Sequence, residues 1–221
     1  MAGRKKSSSF EETTENSLDA RQRLLETGAR LFAEQGFEAI STRQLAKEAD
    51  VNIAMIAYYF GSKEELLKAI FAEKFPQMRS HLEQVQNQNI SPWEKICLVI
   101  DLYIDRILSQ SAMTKLIFRE MSFSHRPQVK EFLLAGLERN WSILYQLINE
   151  GKEKGIFRES VNPRMVFFTF FSTIAQMVNS RSMAMHFLGI KSWDEVHTDE
   201  FQKMVKSYFK ELFGAYLIQS A

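Results

Sequence analysis

With 221 residues, 45% of them hydrophobic, the chain can hold one large domain or two small ones around a substantial core. A net charge of +1 neither requires nor excludes a nucleic-acid partner, because phosphate binding depends on where Lys and Arg stand more than on their total. The single cysteine, Cys97, excludes an intrachain disulfide, and no apolar leader opens the sequence, so a reducing cytoplasm is the expected compartment.

Apolar residues recur at spacings of three and four from Leu24 to Leu217 without strand-like alternation, which predicts an all-α chain of about nine helices. Residues 1–17 are polar, with Arg4, Lys5 and Lys6 clustered ahead of several acids, and are expected to form a disordered tail. A first helix is expected from Asp19 to Gln35, with Leu24, Leu25, Gly28, Leu31 and Phe32 inward and Gly36 as its stop. Ser41 and Gln44 then make a capping box for a short helix carrying Leu45, Ala46 and Ala49. A turn at Asp50 and Val51 leads to a second short helix capped by Asn52, with Ile56 and Phe60 inward and Ala54, Met55, Ala57 and Tyr58 outward. Ser62 and Glu65 cap a longer helix that begins at Lys63 and carries Leu66, Leu67, Ile70 and Phe71. Pro76 should kink or break that helix near Phe75.

Beyond the polar residues 86–89, Ser91 and Pro92 start a helix bearing Trp93, Ile96, Ile100, Tyr103, Ile104 and Ile107. Helices from Ala112 to Ser122 and from Gln128 to Lys154 follow, the second closing on Gly155. Pro163 opens a helix rich in phenylalanine. Its apolar run, residues 165–178, is short for a membrane span and is interrupted by Thr, Ser and Gln, so no membrane partner is expected. Residues 198–218 make the last helix. Phe167, Phe171 and Ile174 on the first of these two, with Val205, Phe209, Leu212, Phe213 and Tyr216 on the second, are more than an isolated body readily covers, which predicts a twofold homodimer across both helices, with an unusually apolar monomer core as the alternative.

The run from Arg21 to Phe71, RLLETGARLFAEQGFEAISTRQLAKEADV followed by YYFGSKEELL, resembles the N-terminal domain of the tetracycline-repressor (TetR) family of bacterial transcription regulators. The resemblance combines the Gly36-Phe37 stop, the Thr42-Arg43 pair, the Val51 turn, Tyr58-Tyr59-Phe60 and the Ser62-Lys63 cap. It implies a helix-turn-helix DNA-binding domain over residues 18–65 and a helical regulatory and dimerisation domain over 66–221. The family positions for DNA contact fall on Thr42, Arg43, Asn52, Ile53, Ala54, Met55, Ala57, Tyr58 and Tyr59, with Lys63 implied to hold a phosphate. Plain packing of Tyr58 and Tyr59, and a simple surface role for Lys63, remain the alternatives. Because the reader residues are mostly apolar, thymine methyls and groove shape should matter, with Arg43 the main polar reader. Asp50 stands where many members have glycine, and aspartate tolerates a left-handed backbone. Where Ala57 stands an aromatic residue is frequent.

The resemblance further implies a ligand-responsive repressor that binds a palindromic double-stranded operator. No cofactor or metal is implied, but a small apolar or aromatic inducer is, with Tyr103, Phe118, Met121, Trp141, Tyr145 and Met177 as candidate contacts. An enzyme fits less well. His81, His125, His186 and His197 are scattered without metal-ligand spacing, Cys97 has only Lys95 as a basic neighbour, and no glycine-rich phosphate loop occurs. A helical adaptor that binds protein is the other rival; it would not need Thr42, Arg43 and Lys63 grouped around a short outward helix.

Overall fold

The computed structural model describes residues 6–123 and 125–218, with side chains from residue 19 on except that of Phe123. Among these residues there are ten α-helices, a 3-10 helix at Trp193–His197 and no strand beyond one bridge between Phe157 and Ile218. They divide into two compact units at Lys74 and Phe75.

The first unit contains α1 (Lys6–Gln35), α2 (Thr42–Glu48), α3 (Ala54–Phe60) and the opening of α4 (Lys63–Gln86). Side-chain caps set the starts. The Ser41 hydroxyl accepts the Gln44 N–H at 3.1 Å, the Ser62 hydroxyl accepts that of Glu65 at 3.1 Å, and the Asn52 side chain accepts that of Ala54 at 2.9 Å. Gly36, at φ 95°, ends α1 in a conformation that side chains disfavour. Asp50 holds the turn between α2 and α3 at φ 52°, the single positive value outside glycine among the described residues, and Arg23 Nη2 donates to its carbonyl at 3.3 Å. Leu24, Leu25, Leu31 and Phe32 of α1 are buried, as are Leu45, Ile56, Leu66, Leu67, Ile70 and Phe71. Gly28 lets α1 and α4 approach, since a Cβ there would stand 3.0 Å from Ile70 Cδ1.

Three expectations differ from this picture. The unit boundary lies nine residues beyond the expected 65/66 (74 against 65), because Leu66, Leu67, Ile70 and Phe71 belong to the first unit. Of the expected tail, residues 1–5 lie outside the described residues while 6–17 extend α1, where each added residue gains a helical hydrogen bond without a new nucleus. Pro76 sits inside α4 without interrupting it: the N–H it lacks would have met the carbonyl of Ala72, an exposed residue whose carbonyl water can serve, and buried Phe75 and Met78 flank it.

The second unit is built on α5 (Pro92–Ser109), which packs against α7 (Pro127–Glu153), α10 (Asp199–Leu217), α6 (Ser111–Phe123) and α8 (Pro163–Asn179). Ser91 and Glu94 complete a reciprocal capping box at the start of α5, and Asn162 caps α8 ahead of Pro163. Gly155, at φ 67°, ends α7 as expected, and the chain turns so that the N–H of Phe157 donates to Gly151 O at 3.0 Å. Two elements were not foreseen: α9 (Arg181–Leu188), stopped by Gly189 at φ 69°, and the 3-10 helix, opened by a Ser192–Glu195 capping box. Both carried readable signals, a glycine stop and an S-x-x-E cap. No described helix is long and apolar enough to cross a membrane.

Candidate nucleic-acid interface and effector cavity

On α3, Ile56 turns inward at 3% exposure while Tyr58 stands 76% and Ile53 48% exposed, with Ala54 and Ala57 also outward. A seven-residue helix anchored by one buried isoleucine offers the rest of its surface to a groove. Met55 is half-buried, less outward than expected. Tyr59 is half-buried too, its ring edge-on to Tyr58 at 4.9 Å and to Phe60 at 6.3 Å, so it supports its neighbour while Tyr58 faces solvent. Asn52 is exposed, but its side-chain oxygen already caps α3, which leaves its amide to meet an outside acceptor. At the start of α2, Arg43 is exposed and Thr42 half-exposed. Thr42, Arg43, Asn52, Ile53, Ala54, Ala57 and Tyr58 therefore gather on α2, α3 and the turn between them.

Lys63 is placed differently from the expectation. Its ammonium donates to Phe37 O at 2.8 Å and Ile40 O at 2.7 Å and lies 4.0 Å from the centre of the Phe37 ring. Sequence could not show this, because both acceptors are backbone carbonyls more than twenty residues away.

In the body, a cavity of about 40 Å³ lies among α5, α7, α8 and α10. Of the six proposed ligand contacts, Tyr103 and Trp141 line it; Phe118, Met121, Tyr145 and Met177 do not. Phe167 and Phe171, expected at a dimer surface, line it instead with Phe170, because they turn toward the core rather than outward. The Phe167 and Phe171 rings lie tilted at 37° with centres 4.3 Å apart, Phe171 meets Tyr103 edge-on at 4.9 Å and Phe167 meets Trp141 at 4.7 Å. Burial pushes the Tyr103 phenol well above its usual range, so it stays a neutral donor among carbon atoms. Burial likewise pushes the Cys97 thiol up, the opposite of what a nucleophile needs.

The other expected dimer residues also need correction. Ile174, Val205, Phe209 and Phe213 are buried within one chain at 5% exposure or less, and only Leu212 and Tyr216 of that set are exposed. On these two helices the outward large apolar residues are Met204, Tyr208, Leu212 and Tyr216 of α10 and Met165 and Phe168 of α8; Leu98 of α5, Leu134 and Tyr145 of α7 and Met183, Phe187 and Leu188 of α9 are exposed as well.

The profile described as bacterial regulatory proteins, tetR family, matches residues 24–70, and that of the YsiA-like protein C-terminal region matches 71–198. The fatty acid metabolism regulator protein of Bacillus subtilis is 26% identical over 160 residues, covering 71% of this chain and 80% of that one. The transcriptional repressor KstR2 of Mycolicibacterium smegmatis is 22% identical over 157 residues, covering 71% and 76%. Among solved structures, FadR of Bacillus subtilis in complex with stearoyl-CoA shares the fold with a TM-score of 0.69 at 22% identity, covering 85% of this chain and 96% of that one.

Proposed function

Because the chain belongs to the TetR family of bacterial regulatory proteins, we propose that it is a cytoplasmic repressor that binds a palindromic operator as a homodimer and releases it when an apolar effector enters the body. The observation that carries the DNA-binding part is the outward face of α3, where Ile53, Ala54, Ala57 and Tyr58 stand clear of the core beside Arg43. A short helix of that shape enters the major groove with methyl groups and one phenol leading. Arg43 at the edge of this face reaches a guanine edge or a phosphate, Thr42 a phosphate, and the Tyr58 and Tyr59 hydroxyls the backbone. Ile53, Ala54, Met55 and Ala57 read thymine methyls and shape.

The dimer surface follows from what the body leaves outside. Met204, Tyr208, Leu212 and Tyr216 form one row on α10 at i, i+4 spacing, and Met165 and Phe168 add to it from α8. Asn162 N–H, at the head of α8, reaches Tyr216 Oη at 3.4 Å, so the two rows are neighbours. A second copy related by a twofold axis covers this surface and supplies the second reading head. Replacing Phe168 and Tyr208 together by Glu is expected to leave the fold intact and give monomers in sedimentation, with operator affinity reduced to that of a half-site. A doubly substituted chain that still sediments as a dimer moves the interface elsewhere.

The effector side rests on the cavity and on the relatives. Every side chain lining the cavity is apolar or aromatic, a similar protein of Bacillus subtilis is named a fatty acid metabolism regulator, and the similar FadR structure from that organism was solved with stearoyl-CoA. A long acyl chain attached to a polar carrier fits that chemistry. At about 40 Å³ the space is far below the several hundred Å³ of an ordinary ligand site, so binding requires the Trp141 and Phe167 rings to swing aside. Only a state with those rings displaced binds the chain well, and this differential affinity is what shifts the population away from the DNA-binding state.

Selection from a random DNA pool tests the whole reading. The expected product is an inverted repeat whose halves are centred about one helical turn, roughly 34 Å, or a multiple of it apart. Addition of a long-chain acyl-CoA, compared with free CoA, is then expected to release the complex. A pool that never enriches any sequence removes the DNA-binding reading, and release by neither compound removes the effector class alone.

A further inference from the structure

A cation at the first residue of a helix opposes the helix dipole, yet Lys63 opens α4. Glu64 and Glu65 in the same turn offset part of the cost. The rest is offset by what the ammonium touches: Phe37 O at 2.8 Å, Ile40 O at 2.7 Å and the face of the Phe37 ring at 4.0 Å. Both carbonyls lie in the connection that follows Gly36, after α1 has ended and before α2 begins, and Phe37 O accepts the Ile40 N–H at 3.4 Å as well. Phe37 and Ile40 are buried at 4% and 0% exposure, so the carbonyls are anchored on the core side. The backbone at the other end is fixed as well, because Ser62 caps the same turn of α4.

The consequence runs along the chain. Ile40 precedes the capping Ser41, and Ser41 precedes Thr42 and Arg43, so whatever fixes the Ile40 carbonyl fixes where α2 starts. We propose that Lys63 is a positioning residue for DNA reading: it ties the α1–α2 connection to the start of α4, holds Thr42 and Arg43 in register with α3, and does not itself neutralise a phosphate. This rests on the operator-binding reading.

A phosphate contact and an internal tie leave different signatures. A lysine on phosphate releases about one counterion, so its loss weakens all DNA alike and lowers the salt slope by about 0.9. Loss of an internal tie leaves that slope alone and reduces discrimination. The experiment titrates wild type, Lys63→Met and Lys63→Arg with the selected operator and with random DNA over a salt series. Lys63→Met is expected to bind random DNA within about twofold of wild type, with an unchanged salt slope, and to lose about tenfold for the operator. Lys63→Arg, whose guanidinium can still donate to both carbonyls, is expected to recover most of the operator affinity. An equal loss on both DNAs with a shallower slope, or no loss on either, overturns the proposal.

A second measurement needs no substitution and no DNA. In the free wild-type protein the Lys63 ammonium protons are expected to exchange slowly with water and to correlate by NMR with the Phe37 and Ile40 carbonyls. Rapid exchange, as for a lysine in open solvent, overturns the tie even if the operator reading stands. Failure of wild type to bind any selected DNA would instead remove the operator reading and leave the exchange result to decide the tie.

Discussion

Ala54→Glu is expected to abolish specific operator binding without lowering the melting temperature. Ala54 is the first residue of α3 and is exposed, so the longer side chain meets no neighbour in the free protein. A carboxylate in the first turn of a helix interacts favourably with the dipole, by roughly 0.3–1 kcal/mol, which offsets the small loss of alanine's helix propensity. In the complex the same carboxylate faces base edges and phosphates, where a like charge costs several kcal/mol. A loss on the order of 100-fold or more in operator affinity follows, readable by fluorescence anisotropy alongside a thermal melt. Ala135→Glu, an equal change of charge at an exposed position of α7, serves as the control and should bind within a few-fold of wild type. If Ala54→Glu binds as tightly as that control, α3 is not the reader.

Gly151→Ala is expected to destabilise the body by about 2–3 kcal/mol, although alanine is the better helix former by about 1 kcal/mol. Gly151 lies within α7, and a Cβ there would fall 2.0 and 2.3 Å from two ring carbons of Phe157. The ring has nowhere to go. Phe157 is 1% exposed, its N–H donates to Gly151 O, it bridges Ile218, and the next N–H, from Arg158, donates to Leu217 O at 2.8 Å. Either the ring leaves its site, losing roughly 2–3 kcal/mol of burial, or the end of α7 moves away from α10. A fall of about 5–10 °C in the melting temperature is the expected reading for a chain of this size. The pair should be strongly coupled: Phe157→Ala added to Gly151→Ala should cost much less than the two changes summed. Additive losses would mean that the ring and the helix do not meet as described.

The head was largely legible because its signals are local. Ser41, Asn52 and Ser62 each cap the helix that follows through a neighbouring backbone N–H, and Gly36 and Asp50 supply the positive φ values that the connections require. Ile56 inward with Tyr58 outward follows from helical period alone. Gly189 and the Ser192–Glu195 box were equally local, and reading them would have located α9 and the 3-10 helix. Lys63 was not legible, since a lysine at a helix start looks the same whether its partner is a phosphate or two carbonyls across the domain.

The limit of the sequence is sharpest on α10. By itself the chain determined that residues 199–217 form a helix with more apolar surface than one side can use, because caps, propensity and a period of 3.6 are properties of neighbouring residues. Two apolar rows lie side by side there, Phe201, Val205, Phe209, Phe213 and Leu217, and Met204, Tyr208, Leu212 and Tyr216, each at the same i, i+4 spacing. Periodicity ranks them equally. Tertiary structure broke the tie, since Phe209 and Phe213 pack against Phe170 of α8 at 4.8 and 6.1 Å while the Lys210–Asp101 pair at 2.7 Å joins α10 to α5. The same contacts turned Phe167 and Phe171 toward Trp141 and Tyr103, making a cavity from residues that the sequence had offered to a partner. A row of side chains is core or surface according to what lies across from it, and that depends on contacts between residues far apart in the chain.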